Sequence, residues 1–107
     1  MRVSDLENLG FTRITDGDGD LKHGYTCDLL SEVMAKAESD TVWFTVQSHV
    51  NVVAVAAITG IRAIVLCNGH EFDEETIKKA TDEKISLFTT PLNAFEAGGK
   101  LYSKGLK

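Results

Sequence analysis

Residues 41–66 read TVWFTVQSHVNVVAVAAITGIRAIVL, and this stretch decides the fold of the chain. Its two ends, Thr41–Val46 and Ala63–Leu66, are short runs of β-branched, aromatic and aliphatic residues, which are typical of buried strands. We predict a helix over the apolar run Val52–Ile58 between them, because a serine before it can cap its start and a glycine after it can end it. These flanking residues are Ser48 and Gly60. Since two neighbouring parallel strands need a crossover, the stretch predicts a strand–helix–strand unit of a parallel sheet.

The same alternation continues towards the C-terminus. A helix is predicted to begin at Asp73-Glu74-Glu75, whose negative charges suit the helix dipole, and Ser86–Thr89 is predicted as the last core strand. Thr90 followed by Pro91 is typical of a helix start, with the threonine as the cap and the proline in the first turn. This closing helix carries four large apolar residues on or near one face, namely Leu92, Phe95, Leu101 and Tyr102.

The residues before position 41 add further short elements. Ser4 and Glu7 have the spacing of a capping box, which predicts a short first helix. Two short strands, Phe11–Thr15 and His23–Cys27, are predicted next, and Asp28 is the predicted N-cap of a further helix. The full pattern predicts a three-layer α/β domain with a mainly parallel four- to five-stranded sheet flanked by helices.

Composition narrows the class of protein. A length of 107 residues is that of one domain, so we expect residues 1–107 to form a single unit. Sixteen Asp and Glu against 11 Lys and Arg leave a net charge of −5, which argues against binding to a nucleic-acid backbone. The longest apolar run is too short to span a bilayer and no apolar leader follows Met1, so we expect neither a membrane protein nor a secreted one. Two cysteines without framework spacing fit reduced thiols in a cytoplasmic protein.

Polar residues collect where the predicted strands end. Ligands of open parallel sheets bind beyond the carboxyl ends of the strands, and the segments 47–51, 67–70 and 89–91 lie there. Their side chains and backbone N–H groups are typical of contacts to the phosphate or ribose oxygens of a small anionic metabolite or nucleotide. The predicted ligand-binding residues are Gln47, Ser48, His49, Asn51, Asn68, Gly69, His70, Thr90 and, from the end of an earlier strand, Asp28.

The same edge of the sheet holds candidates for two other kinds of chemistry. His49, His70 and Asp28 form a candidate metal-ligand set, although their spacing matches no recognised zinc or iron signature. Cys67 close to a histidine suggests a nucleophile, but a thiol at the end of a buried strand is more often an inert apolar group. We therefore predict no catalytic residue, no resident metal and no cofactor.

A glycine pair near the C-terminus invites comparison with a phosphate-binding P-loop. Gly99-Lys100 matches the end of that motif, but Ala94 and Leu101 stand where it needs a glycine and a serine or threonine. Kinase activity is therefore not expected. The pair Gly98-Gly99 is instead predicted to allow close approach of another backbone or of a partner subunit.

Three stretches, residues 41–59, 61–69 and 85–102, resemble the DRTGG domain family. The resemblance implies a regulatory, often dimer-forming α/β module. Such domains are accessory parts of phosphate acetyltransferases and CBS-domain pyrophosphatases, and they are similar to the N-terminal domain of HPr kinase/phosphorylase. The pentapeptide that names the family is absent, and Leu21–Tyr25 stands nearest to its place. The resemblance carries no catalytic residue to this chain.

Residue patterns and resemblance together predict a non-catalytic regulatory module that forms a homodimer and senses a small anionic metabolite or an adenine nucleotide. The apolar helix over Val52–Ile58 supports the dimer, because a helix that is apolar on several faces is buried at the centre of the domain or covered by a second subunit. Two alternatives stay open. One is a protein–protein interaction module that docks on a partner enzyme without a small ligand, and the other is a small metal-dependent enzyme that uses His49, His70 and Asp28.

Overall fold

A computed structural model describes every residue from Met1 to Lys107. Helices and strands alternate from β2 onwards, as the sequence predicts. In chain order the elements are α1 (Asp5–Asn8), β1 (Thr12–Arg13), β2 (His23–Thr26), α2 (Leu30–Lys36), β3 (Thr41–Thr45), α3 (Asn51–Thr59), β4 (Ala63–Leu66), α4 (Glu74–Glu83), β5 (Ser86–Thr89) and α5 (Ala94–Tyr102).

The five strands form one sheet in the order β1-β5-β4-β3-β2. Strands β2 to β5 are parallel and lie side by side in chain order, with Val42 opposite Ala63 and Ala63 opposite Ser86. Only β1 is antiparallel, and it pairs with β5 at one edge of the sheet. The predicted α/β class with a mainly parallel sheet is confirmed, and the strand number is five.

The sheet separates two hydrophobic cores, which makes the domain three-layered. Along β3, Val42 and Phe44 pack in one core while Trp43 packs in the other, because successive side chains of a strand point to opposite faces. The Trp43 core contains residues of α2, α3 and α4. The Phe44 core contains residues of α1 and α5 and the C-terminal Leu106.

Helix α3 is the central helix of its layer, in contact with α2 on one side and α4 on the other. Four of its side chains are buried, while Ile58 is 72% exposed. Burial between two helices and the sheet therefore accounts for most of its apolar surface without a second subunit. Gly60 ends α3 as predicted, with a φ of +82° that glycine adopts without strain.

The helices α1, α2 and α3 are present, but the side-chain caps predicted for them do not form. Ser4 has helical backbone angles and makes no side-chain capping bond, and its N–H donates to Asp18 and not to Glu7, the partner that a capping box requires. At α3, the ring nitrogen Nδ1 of His49 accepts the backbone N–H of Asn51, so the histidine and not Ser48 satisfies that N–H. At α2 the N-cap position belongs to Leu29, because Asp28 is bonded to β3 instead.

The closing helix begins three residues later than Thr90 and Pro91 predict. Asn93 caps α5, its side chain accepting the N–H of Glu96 at 2.8 Å, and the Glu96 carboxylate accepts the N–H of Asn93 at 3.2 Å. This reciprocal pair is a capping box, a stronger start than a threonine followed by proline.

The amino ends of the parallel strands are covered by the chain that joins β1 to β2. The N–H of Ile14 donates to Leu87, and the N–H of Lys22 donates to Asp40 at the opposite side of the sheet. Gly19 has a φ of +147° and passes so close to Arg62 that a Cβ there would lie 2.8 Å from a guanidinium nitrogen. The carboxyl ends of the parallel strands are not covered by this connection and are therefore the strand ends that a ligand can reach.

We expect Asn93→Ala to lower the free energy of unfolding by about 1 kcal/mol, because it removes the side-chain cap of α5. Ser4→Ala is the matched control and should change stability by less than about 0.5 kcal/mol, since Ser4 makes no side-chain cap bond. Urea denaturation of both variants checks this. Equal losses in the two would contradict the assignment of the caps.

A second pair of variants tests the buried threonines. The hydroxyl of Thr15 donates to Ile85 and accepts the N–H of Leu87, whereas the buried hydroxyl of Thr41 has no partner. Thr15→Val should therefore cost about 1–3 kcal/mol, and Thr41→Val should be neutral or raise stability by up to about 1 kcal/mol. Thermal unfolding measures both, and a destabilised Thr41→Val would reveal a bond to that hydroxyl.

Candidate functional site

The predicted polar loops meet at the carboxyl ends of the strands. We call this surface the strand-end edge, and its residues are Cys27, Asp28, Val46–Asn51, Cys67–His70 and Thr90. Backbone hydrogen bonds join the loops, from Cys67 N–H to Thr45 at 2.9 Å and from Gly69 N–H to Thr90 at 3.0 Å. Topology thus brings together residues that lie up to 63 positions apart in sequence (27 to 90).

Asp28 has a structural role at this edge. Its Oδ1 accepts the hydroxyl of Thr45 at 2.8 Å and the N–H of Val46 at 2.9 Å, and its backbone carbonyl accepts the amide of Gln47 at 3.2 Å. These bonds tie the loop after β2 to the end of β3. Because Thr45 is buried, its hydroxyl needs this partner.

Several of the other predicted contacts are also occupied by internal bonds. The carbonyl of Ser48 accepts the hydroxyl of Thr76, and Nδ1 of His49 accepts the N–H of Asn51. Thr90 is buried, and its hydroxyl oxygen accepts the N–H of Leu92. The exposed residues of the predicted set are Asp28, Gln47, His49, Asn51, Asn68, Gly69 and His70. Ligand binding by this set stays a prediction.

The electrostatics of the strand-end edge favour cations over anions. Asp73 begins α4 beside the edge, and hydrogen bonds from Thr76, assisted by the nearby His49, hold the pKa of its carboxyl below the usual range. Glu71 and Glu74 flank it, and no Lys or Arg occurs in the loops of the edge. A phosphate placed there would meet carboxylates without a countercharge.

The candidate metal set does not assemble. No three His, Cys, Asp or Glu side chains lie close enough together to share an ion. His49, His70 and Asp28 follow three different strands, and Asp28 is bonded to Thr45. The arrangement does not support the metal-dependent alternative.

The Cys67 thiol is unsuited to nucleophilic attack. It is fully buried, and burial, with a smaller contribution from the Asp28 charge, raises its pKa to about 11. A thiol with that pKa is protonated at neutral pH, and the thiolate is the reactive form. The interpretation of Cys67 as a small apolar core residue is therefore favoured.

A cavity of ligand size lies elsewhere, between α5 and the edge strand β2. Its volume is about 660 Å³, within the range of small-molecule sites. We call it the α5 groove. Its lining residues are Gly24, Thr26, Phe44, Ala94, Phe95, Gly98, Gly99, Leu101, Tyr102, Ser103, Leu106 and Lys107.

Two aromatic side chains border the α5 groove from the surface of α5. Phe95 is 89% exposed and Tyr102 is 61% exposed. Seven residues apart on one helix, they stand two turns from each other on the same side, with Gly98 and Gly99 between them. No atom lies within 4 Å of the point where a Cβ on Gly99 would sit, so space above the helix backbone is free.

The α5 groove is lined by one charged side chain. Lys107 is its one charged lining residue, and its Nζ lies 3.8 Å from the centre of the Tyr102 ring, close enough for a cation–π contact. None of the 16 acidic residues of the chain lines the groove. The groove is thus an apolar surface with one cation in a protein of net negative charge.

The α5 groove is not predicted by the sequence pattern. It placed Phe95 and Tyr102 with Leu101 on one apolar face, whereas the residues of α5 that are buried are Ala97 and Leu101. The available signal was the glycine pair between two aromatic residues, which leaves the rings without neighbours on their own helix. The groove depends on the packing of α5 beside the edge strand β2, which the local sequence of α5 does not determine.

Comparisons with known proteins bear on the fold. The chain matches no family model, and no curated protein is similar to it in sequence. The fold is similar to that of the CBS and DRTGG domains of the regulatory region of Clostridium perfringens pyrophosphatase, a structure complexed with the activator diadenosine tetraphosphate. The TM-score is 0.68 at 13% sequence identity, and the match covers 90% of this chain and 43% of that one.

This similarity supports a DRTGG-like fold and leaves family membership a prediction. The chain spans less than half of the pyrophosphatase region that it matches. None of the helices in the structure has the length and apolar character that a membrane span requires.

We expect a disulfide reagent to label one thiol of the native protein at pH 8. Cys27 is half-buried and should react, while Cys67 is buried and protonated at that pH. Cys27→Ser should therefore abolish rapid labelling, and both thiols should react after unfolding. Rapid labelling of native Cys27→Ser would contradict the inert role of Cys67.

Proposed function

We propose that this domain is a non-catalytic regulatory module that binds a small anionic metabolite reversibly, with adenine nucleotides as the leading class. The observation that carries the proposal is the α5 groove, a cavity of ligand size without the groups that would transform a ligand. Its lining contains no His, Cys, Asp or Glu, so no base of the usual kind stands beside the hydroxyls of Thr26 and Ser103.

The structural neighbour supports the regulatory part of the proposal. That protein is the regulatory region of a pyrophosphatase, and its structure holds an activator with two adenosine groups. The neighbour is a regulatory and not a catalytic unit, which agrees with a binding role for a domain of similar fold. Because the present chain corresponds to less than half of it, the nucleotide ligand is part of our proposal for this chain.

We further propose that the domain acts as a homodimer, through the helical layer opposite the α5 groove. Large apolar side chains are exposed on that layer, with Met34 on α2 at 49% and Ile58 on α3 at 72%. The two helices are in contact and run in the same direction, and both residues lie near the C-terminal ends of their helices. A partner enzyme that covers the same layer is the alternative, as in an interaction module without a small ligand.

Native mass spectrometry tests both parts of the proposal. We expect a dimer that gains the mass of an adenine nucleotide when ATP or AMP is added with magnesium. Ile58→Lys should convert the dimer to a monomer, because a lysine in a two-fold interface would be buried twice without a partner. Thr81→Lys on the exposed side of α4 is the matched control and should leave the dimer intact.

The possible results of this experiment distinguish the ligand-binding part of the proposal from the dimer part. A dimer that gains no mass from any nucleotide or acyl phosphate would contradict the ligand-binding part of the proposal and favour the alternative of an interaction module. If the wild-type protein is a monomer, the dimer part of the proposal is wrong, and the mass gained from nucleotides alone decides the ligand-binding part.

A further inference from the structure

We propose that Asn68 is a site of spontaneous deamidation in the native protein, at a rate set by opening of the turn Cys67–His70. The reaction converts the asparagine to aspartate or isoaspartate without an enzyme or a cofactor. The inference goes beyond the proposed function, because it concerns the strand-end edge and holds whether or not the α5 groove binds a ligand.

The residue that follows an asparagine determines how easily the side-chain amide is attacked. Gly69 has no side chain, so its backbone nitrogen can approach the amide carbon of Asn68 without steric hindrance. Both residues are exposed, and no atom lies within 4 Å of the point where a Cβ on Gly69 would sit. The other three asparagines are followed by larger residues, in the pairs Asn8-Leu9, Asn51-Val52 and Asn93-Ala94.

The reaction consumes one water and releases one ammonia. The backbone nitrogen of Gly69 loses its proton to solvent base and forms a bond to Cγ of Asn68, while the Cγ–Nδ2 bond breaks and the amide leaves as ammonia. Water then opens the five-membered succinimide ring. Breaking the new bond gives aspartate, and breaking the original peptide bond leaves the main chain routed through Cγ, which is isoaspartate.

The turn that holds Asn68 opposes this reaction. Asn68 and Gly69 have φ values of +63° and +72°, and the N–H of His70 donates to the carbonyl of Cys67 at 3.4 Å, as in a type I′ turn. The N–H of Gly69 carries the proton that must be lost, and it donates to the carbonyl of Thr90 at 3.0 Å. The attacking nitrogen is therefore free only when the turn has separated from Thr90. Exposed loops open locally at a lower free energy than buried strands do.

Isoaspartate at this position would change how the strand-end edge is held together. It adds one carbon atom to the main chain between the Cα of Asn68 and the nitrogen of Gly69. The N–H of Asn68 donates to Leu92 at 2.9 Å and that of Gly69 donates to Thr90, so the longer chain cannot keep the geometry of both bonds. These two bonds join the loop after β4 to the segment that leads into α5. The aspartate product keeps the normal main chain and adds a carboxylate to an edge that is already acidic.

Peptide mapping by mass spectrometry tests the assignment on the full chain after incubation at pH 8 and 37 °C. Deamidation adds about 1 Da, and one experiment follows all four asparagines. In the native protein we expect Asn68 to be converted at least about 5-fold faster than each of the other three. Unfolding in guanidinium chloride should accelerate its conversion at least about 5-fold, because the bond to Thr90 is lost. Asn68→Asp can release no ammonia from this position and is the negative control.

Two glycine variants test whether opening of the turn sets the rate. Pro91 lies between the two residues whose carbonyls accept from the turn, so Pro91→Gly makes that segment more flexible and should raise the native rate at least about 2-fold. Lys104→Gly changes another exposed turn and is the matched control, with the rate of the wild type. In denaturant all three proteins should react at one rate, since the chemistry itself is unchanged.

The purified isoaspartate form tests the structural consequence. It should melt at a lower temperature than Asn68→Asp, because both carry the same added charge and only the isoaspartate form has the longer main chain. Equal melting temperatures would show that the two bonds to residues 90 and 92 do not depend on the length of the chain there.

Contrary rates would each overturn a stated part of the inference. If native Asn68 stays intact while the unfolded chain is converted, the turn blocks the reaction and the inference is wrong. If native and unfolded chains react at equal rates, opening of the turn does not control the reaction. If another asparagine reacts first, the assignment to Asn68 fails. None of these results affects the ligand or the dimer of the proposed function.

Discussion

The handedness of the crossovers governs this domain. Strands β2 to β5 lie side by side in chain order, so each crossover moves one position in the same direction along the sheet. Right-handed connections that all advance the same way place α2, α3 and α4 on one face. The other face is left to the ends of the chain, where α5 is its one long helix. Three helices therefore cover one face of the sheet, and the α5 groove lies on the other face, although both faces have a continuous hydrophobic core.

The unequal layers divide the surface into two chemically different regions. At the strand-end edge, polar groups hold the loops in place: Asp28 joins the β2 loop to β3, and Thr76 bonds the loop after β3 to α4. Beside α5, by contrast, the chain exposes aromatic rings and bare helix backbone that no other element uses.

Sequence was a good guide to the elements that depend on local composition. The β-branched runs at Thr41–Thr45 and Ala63–Leu66 became strands, and the run ending at Gly60 became a helix. Prediction of helix caps was weaker, because Ser4 and Asp28 have competing partners that lie far away in sequence. Ser4 and Asp28 each bond a residue that is brought near only by folding.

The same distinction between local composition and long-range contacts applies to the candidate site residues. That the loops at Gln47, Asn68 and Thr90 would meet could be inferred, since parallel strands end at one edge. The exposure of Phe95 and Tyr102 could not be inferred from their spacing, because the same aromatic pair on a helix with neighbours on both sides would be buried. The order of the strands in the sheet determines whether these two side chains are exposed. That order depends on long-range strand pairing, which a local sequence pattern does not predict.

The glycine pair of α5 has a consequence for the dynamics of the domain. Each glycine within a helix costs about 1 kcal/mol relative to alanine, so α5 has a low intrinsic tendency to remain helical and depends on its cap and its contacts with the sheet. Local opening of such a segment takes less free energy than opening of the buried strands. A molecule seated against Gly98 and Gly99 would bind the closed helix and not the opened one, and so would slow amide exchange along α5. Binding in the groove would then make α5 more ordered. A neighbouring domain or subunit in contact with α5 can respond to that change.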